Sequence, residues 1–384
     1  MTPPRRPRCA WVLAGRHVER DGAGTTRPRA EFEAFLERND GVLLSQASLD
    51  GTRSWLARGL ARLGSTPLAL AWLVLTQARS FDAIIASGED IGVPLALASL
   101  LSASDVPIHM MFHGHHLVSP RLRSLAPLLR RMPHVHLHCL SEALRQRTMA
   151  VLGIPPARCH ATGYGVDTDF FSPVAAAKPA VIASAVIASA VIANAVIASA
   201  GAANRDYATL AAAAGPLPAE VRIASDSTWV PPTETAAPAG WPENVTLRSY
   251  GDYAALRELY GQSAFVVVPL HPAQHACGYA VIAEAMAMGR AVIASRTQAP
   301  PDFLQDGDTG LFVRPGDRLT LRYAMRAMLG NPAATAAMGR RARAMMLDRH
   351  SLPRFCARLE TIIAATVRPE RNRSADQTLG AAAR

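Results

Sequence analysis

The sequence predicts an α/β protein built on doubly wound parallel sheets. Short, wholly apolar runs such as Phe81 to Ser87 (FDAIIAS) and Ala291 to Ser295 (AVIAS) read as strands buried on both faces, as in a parallel sheet. Each is followed by a polar or Gly-containing loop and then by apolar residues at helical spacing. That alternation winds helices over both faces of a sheet and gathers ligands at the carboxyl ends of its strands. A length of 384 residues leaves room for two such domains.

Composition narrows the function classes. Lys+Arg total 40 against 30 Asp+Glu, a net charge of +10, yet Lys178 is the sole lysine. The excess is arginine and reads as coding bias rather than a nucleic-acid footprint, so no nucleic-acid partner is expected. A basic face for anionic lipid or phosphorylated substrates stays open. Cys9, Cys139, Cys159, Cys277 and Cys356 are odd in number and lack C-x-x-C spacing, which fits a reduced, cytoplasmic protein. The apolar run before Arg16 is too short for a signal peptide.

Ala10 to Ala14 reads as the first strand, Arg20 to Arg29 as a polar loop containing Gly22-Ala23-Gly24, and Gly41 to Gln46 as a second strand. Ser54 to Leu63 and Leu68 to Ala78 are helices. The strand Phe81 to Ser87 leads through Gly88-Glu89-Asp90 into a helix ending at Leu101. Val106 to Phe112 is the next strand, closing on His113-Gly114-His115-His116. These histidines mix strand and loop with no acid or Cys adjacent in sequence, so no metal is expected. Val118 to Met132 reads as a basic helix with leucines on one side. Those leucines pack on the sheet, or the helix touches an anionic membrane at the inner face. His134, His136 and His138 share a strand face and read as structural, and Ser141 is a helix N-cap.

After a linker, 173–180, the unit VIASA or VIANA recurs at Val181, Val186, Val191 and Val196. Five residues are too few for a solenoid unit, and sliding by an odd number reverses the strand faces. Val196 to Ala200, directly before Gly201, is the expected strand, and 181–195 a loose insert. Ala208 to Ala214 is a helix. Val221 to Ala224, Val245 to Leu247 and Ala264 to Val268 are strands, and Thr228 to Trp241 is a Pro-rich loop.

The stretch from Leu270 to Asp317 carries the clearest chemistry. Cys277-Gly278 opens a turn into a helix, Tyr279 to Met288, with Gly289 as its left-handed cap. Backbone N–H groups at Gly278, Tyr279 and Ala280 offer an anion site. Glu284 is either a surface carboxylate or an acceptor for vicinal hydroxyls. Thr309 to Val313 is a strand, Leu319 to Leu329, Pro332 to Met346 and Ser351 to Thr366 are helices, and 368–384 is a polar tail.

Glu284-Ala285-Met286-Ala287 with Gly289, the His113-Gly114 pair, and Gly165-Val166-Asp167 resemble the motifs of the retaining GT-B glycosyltransferases, the family of glycogen-synthase-like and phosphatidylinositol-mannosyltransferase-like enzymes. The resemblance spans about Phe81 to Met346. It implies two Rossmann-like domains facing a cleft: an acceptor-side domain, 1–172, and a nucleotide-sugar domain, 196–350, with 351–367 crossing back. It also implies glycosyl transfer from a UDP- or GDP-sugar with retention, without cofactor or obligatory metal. By resemblance His113 touches the donor sugar, Glu284 the ribose, and Arg205 the diphosphate. Gly201, Tyr250, Gly278, Tyr279 and Ala280 complete the nucleotide site. Two positions depart from the pattern: Ala276 stands where the family has its first signature Glu, and Ala202 where it has an Arg. An alternative is therefore a scaffold that binds a nucleotide or protein partner without catalysis.

Overall fold

The computed structural model describes residues 6–14, 26–102, 104–173, 195–225 and 237–367. The Gly22-Ala23-Gly24 turn, nearly all of the repeat insert and the polar tail lie outside them.

Two six-stranded parallel sheets form the molecule. The first has the order β2-β1-β3-β4-β5-β6, with β1 Cys9–Val12, β2 Gly41–Leu44, β3 Ala83–Ala86, β4 Ile108–Phe112, β5 Val135–Cys139 and β6 Cys159–Ala161. The second has the order β12-β11-β10-β7-β8-β9, with β7 Val196–Ala200, β8 Glu220–Ala224, β9 Val245–Arg248, β10 Phe265–Val268, β11 Val292–Ser295 and β12 Gly310–Val313. The central strands are buried along their whole length, which is why they are apolar without alternation. Strand order reverses between β1 and β3 in one sheet and between β7 and β10 in the other. Both switch points open a crevice at the carboxyl ends.

The strand expected at Val196 to Ala200 forms β7, paired in register with β8 from Val196↔Glu220 to Ala200↔Ala224. Two short helices lie outside the elements expected from the sequence: α1, Glu31–Arg38, and α2, Gln46–Asp50. Gln46, expected in strand β2, instead starts α2: at its N-cap the Ser45 N–H donates to the Ser48 hydroxyl at 3.1 Å and the Ser45 carbonyl accepts from the Ser48 N–H at 2.9 Å. The remaining helices are α3 Trp55–Arg62, α4 Thr66–Thr76, α5 Glu89–Leu101, α6 Pro120–Arg130, α7 Glu142–Leu152, α8 Tyr207–Ala214, α9 Tyr253–Gln262, α10 Tyr279–Ala287, α11 Arg318–Gly330, α12 Pro332–Met345 and α13 Leu352–Thr366.

In α6, Leu122, Ala126 and Leu129 are buried while Arg121, Arg123 and Arg130 are exposed. Its apolar side is spent on the protein, leaving only charge for any surface contact. Among the described residues no helix is long and apolar enough to cross a membrane.

The last helix, α13, crosses back onto the first sheet. Arg38 pairs with Glu360 at 2.9 Å, and Phe355 presses on Gly165, where a Cβ would come within 2.9 Å of its ring. Beneath α13 lies a ladder of buried histidines. His109 Nδ1 meets His138 Nε2 at 2.9 Å, His138 Nδ1 meets Thr162 Oγ1 at 2.6 Å, and His109 Nε2 meets Thr366 Oγ1 of α13 at 3.0 Å. The strand histidines are thus satisfied by one another and by hydroxyls.

Candidate active site

Residues at or just past the strand ends of both sheets, among them Leu13, Ser87, His113, Gly201 and Ala224, line one cavity of about 880 Å³. That volume suits a small-molecule ligand. The two walls touch at its rim. Ala276 N–H donates to the His113 carbonyl at 2.9 Å, Glu142 N–H to Asp302 at 2.8 Å, and Arg147 to Gln274 at 3.0 Å.

The second-domain wall is made largely of backbone. The chain leaves β7 at Gly201 with φ 97°, and a Cβ there would lie 2.5 Å from Nη2 of Arg205. Only glycine leaves room for that guanidinium. Arg205 is pinned by Nε donating to the Ala200 carbonyl and Nη1 to the Ala203 carbonyl, both at 2.8 Å. No protein bond is made by its Nη2 among the described residues, so that edge is available to a ligand. Backbone bonds from Asp206 to Pro269 and from His271 to Asn204 join this loop to the one entering α10.

Helix α10 starts at Gly278 (φ 76°) with no side chain capping it. The N–H groups of Tyr279 and Ala280 therefore face the cavity at the positive end of the helix dipole. The phenol of Tyr279 points elsewhere, donating to the Ala299 carbonyl at 2.9 Å. Glu284, five residues along and about 7.5 Å down the axis, is 8% exposed rather than on the surface. Its Oε2 accepts from the Tyr260 hydroxyl at 3.0 Å. Burial raises its pKa to about 7, with Tyr260 and Arg205 offsetting part of the rise. Tyr250 lies at the far edge under the Arg248 guanidinium, 4.8 Å from its ring centre.

The first-domain wall is made of side-chain charge. Glu89, the first residue of α5, is 5% exposed and accepts from the N–H groups of His113 at 3.0 Å and His115 at 2.7 Å. His113 Nδ1 stands 3.6 Å from Glu89 Oε2. Burial alone would push the Glu89 carboxyl up, but the bonds and charge of His113 bring it to about 2. Burial would lower His113, yet Glu89 outweighs it and holds the imidazole above its ordinary value. Asp90 and Glu31, the first residue of α1, flank His113 on this wall.

Asp167, of the Gly165-Val166-Asp167 segment, lies outside the cavity and acts as a clamp. It accepts from Arg29 through Nε at 3.2 Å, Nη2 at 3.0 Å and the backbone N–H at 2.8 Å, fixing the start of α1 and so the position of Glu31. Sequence reasoning missed both Glu31 and the role of Glu89. For Glu31 the usable signal was Phe32, Phe35 and Leu36, helically spaced apolar residues around a Glu33 that caps Ala30 N–H at 2.8 Å. For Glu89 the sequence held none, since its partners are 24 and 26 residues away.

The sequence-derived residues Gly201, Arg205, Tyr250, Gly278, Tyr279, Ala280 and Glu284 all line the second wall, and His113 lines the first. Ala276 and Ala202 line the second wall too, leaving no carboxylate or guanidinium at those two points. Among the described residues no group of three or more His, Cys, Asp or Glu is placed to hold a metal ion.

Residues 206–331 match the model of a family described as Glycosyl transferases group 1. The match takes in Tyr250, the α10 N-terminus and Glu284, and starts one residue after Arg205. Comparison with curated proteins finds none that matches. Solved structures align over nearly the whole chain. Anabaena HepE in complex with UDP-glucose shares 16% identity with a TM-score of 0.65, covering 94% of this chain and 100% of that one. A glycosyltransferase from Rickettsia africae shares 12% with a TM-score of 0.67, covering 96% and 100%. Sucrose-phosphate synthase from Thermosynechococcus elongatus shares 15% with a TM-score of 0.64, covering 94% and 99%. Two parallel sheets facing one cavity, together with these alignments, give the chain the GT-B fold.

Proposed function

We propose that the protein is a glycosyltransferase that moves a sugar from a nucleotide-sugar donor to a hydroxyl acceptor with retention of configuration. One observation carries the reading: a buried carboxylate, Glu284, lies one and a half turns below a bare helix N-terminus on a cavity wall. A ribose diol on Glu284 places the attached diphosphate against the N–H groups of Tyr279 and Ala280 and the open edge of Arg205. Tyr250 borders the base, and the sugar extends across the cavity towards His113. As the glycosidic bond breaks, negative charge grows on the diphosphate, where the helix dipole and Arg205 are already oriented to receive it. The site thus supplies leaving-group stabilisation without calling on a metal. The group 1 match over 206–331 and a structural neighbour holding UDP-glucose support the same reading.

Calorimetric titration with UDP, GDP and ADP tests it. The expected result is binding of one nucleotide and its loss in Glu284→Ala, after which the anomeric signal of the product, read by NMR, decides retention. Absence of binding by all three would instead favour a scaffold that has lost catalysis, the reading that Ala276 and Ala202 support.

A further inference from the structure

We infer that the acceptor is an uncharged, hydroxyl-rich molecule, such as a neutral sugar or glycan end, and that Glu31 holds it. The inference rests on the glycosyl-transfer reading above and concerns the wall of the cavity opposite the donor. Three carboxylates, Glu31, Glu89 and Asp90, line that wall. Glu89 is used up by His113 and His115. Glu31 and Asp90 have no side-chain partner among the described residues, and both act electrostatically on His113 from opposite helices. Burial also pushes the Glu31 carboxyl up, as expected for a group waiting for hydrogen-bond donors.

The nearby arginines do not balance this charge. Arg27 is bonded to both oxygens of Glu33 at 3.0 and 2.7 Å, and Arg29 is clamped on Asp167 and Asp169. Among the described residues, Arg205 is the one arginine lining the cavity, and it belongs to the donor side. A phosphorylated or carboxylated acceptor would bring its anion against unpaired carboxylates in a partly desolvated space. Hydroxyls of a neutral sugar would instead donate to them, with the reacting hydroxyl beside His113. The arginine-rich composition thus does not extend to the acceptor wall.

The test uses the full-length chain and the donor identified by titration. Transfer is measured to glucose, galactose and mannose and to their 6-phosphates. The expected result is transfer to a neutral sugar at least about tenfold better than to its phosphate, the scale of one lost charged hydrogen bond. Glu31→Gln should raise the acceptor KM about tenfold and leave the donor KM in place, while Glu31→Lys should shift preference towards the phosphate. Preference for a phosphorylated acceptor, no transfer to any neutral sugar, or a Glu31→Gln effect on donor KM alone would overturn the proposal. Donor hydrolysis without acceptor separates these failures from failure of the transfer reading, in which neither hydrolysis nor nucleotide binding occurs.

Discussion

The two walls of the cavity bind by different means. The second-domain wall presents backbone N–H groups, a guanidinium pinned by two carbonyls and one buried carboxylate, all set within a few residues of a strand end or helix start. The first-domain wall presents side-chain charges gathered from α1, α5 and the end of β4. A wall made from local backbone geometry is written in short contiguous motifs. One made from side chains brought together by topology leaves no such trace. The walls should also fail differently when altered, and that gives the comparison its tests.

The largest expected effect is on the donor wall. Arg205→Ala removes the only described guanidinium on the cavity and should cost about 2–4 kcal/mol of transition-state stabilisation, a loss of about 30-fold to 10³-fold in kcat. Because the side chain packs under Gly201, the circular dichroism melt should accompany the kinetics. An unchanged kcat with an intact fold would show that backbone alone receives the leaving group.

Glu284 sharpens the same point. A carboxyl raised to about 7 when folded and near 4.3 when unfolded binds more protons in the folded state. Its contribution to stability is present below the unfolded value and is lost as pH rises through about 7. Glu284→Gln should therefore be more stable than the wild type at pH 8, by about 4 kcal/mol at most, while losing nucleotide affinity. Ribose hydroxyls donating to the ionised carboxylate should lower its pKa, so nucleotide binding near pH 7 should release a proton. Titration in buffers of different ionisation enthalpy reads this directly. No buffer dependence would detach Glu284 from the ribose.

How much was legible follows from the same contrast. The fold class, the strand at Val196 to Ala200, the turn at Gly278 and the residues flanking it could be read, because apolar runs and glycine turns act locally. His113 could be found just past a strand end, through the resemblance of His113-Gly114 to a family motif. Glu89 could not be paired with it, because the pairing depends on β3 and β4 being neighbours in the sheet. Nor could Asp167 be seen as the clamp for Arg29, 138 residues earlier in the chain. Helix α1 was missed because its apolar residues are few and it follows a polar, arginine-bearing stretch.

On the acceptor wall, Glu89→Gln keeps the shape and removes the charge. His113 then loses the strongest of the groups that hold it above its ordinary pKa, with Glu31 and Asp90 left to oppose the pull of burial. The alkaline limb of the pH–rate profile should move to lower pH, with about a tenfold fall in kcat/KM at pH 7.5, the scale of a charge-assisted bond. A fall in rate with an unmoved limb would make Glu89 structural only, holding the loop through the N–H groups of His113 and His115.

The last test lies behind that wall and separates the two domains by pH. His109 and His138 are fully buried and held neutral, their pKa pushed well down by burial and by neighbouring histidines. His136 is lowered to about 4 by burial, His160 and Arg158. Each depressed histidine binds fewer protons when folded than when unfolded. The stability it allows is complete above about pH 6.5 and declines below it, by about 1.4 kcal/mol per pH unit for each group. The strands of the second sheet carry no histidine. Between about pH 6.5 and 4, amide exchange should therefore rise first in β4, β5 and α13, whose Thr366 is bonded to His109. Protection in β7, β10 and β11 should persist. Simultaneous loss in both sheets would mean the domains unfold as one unit, held together by α13 and the rim contacts.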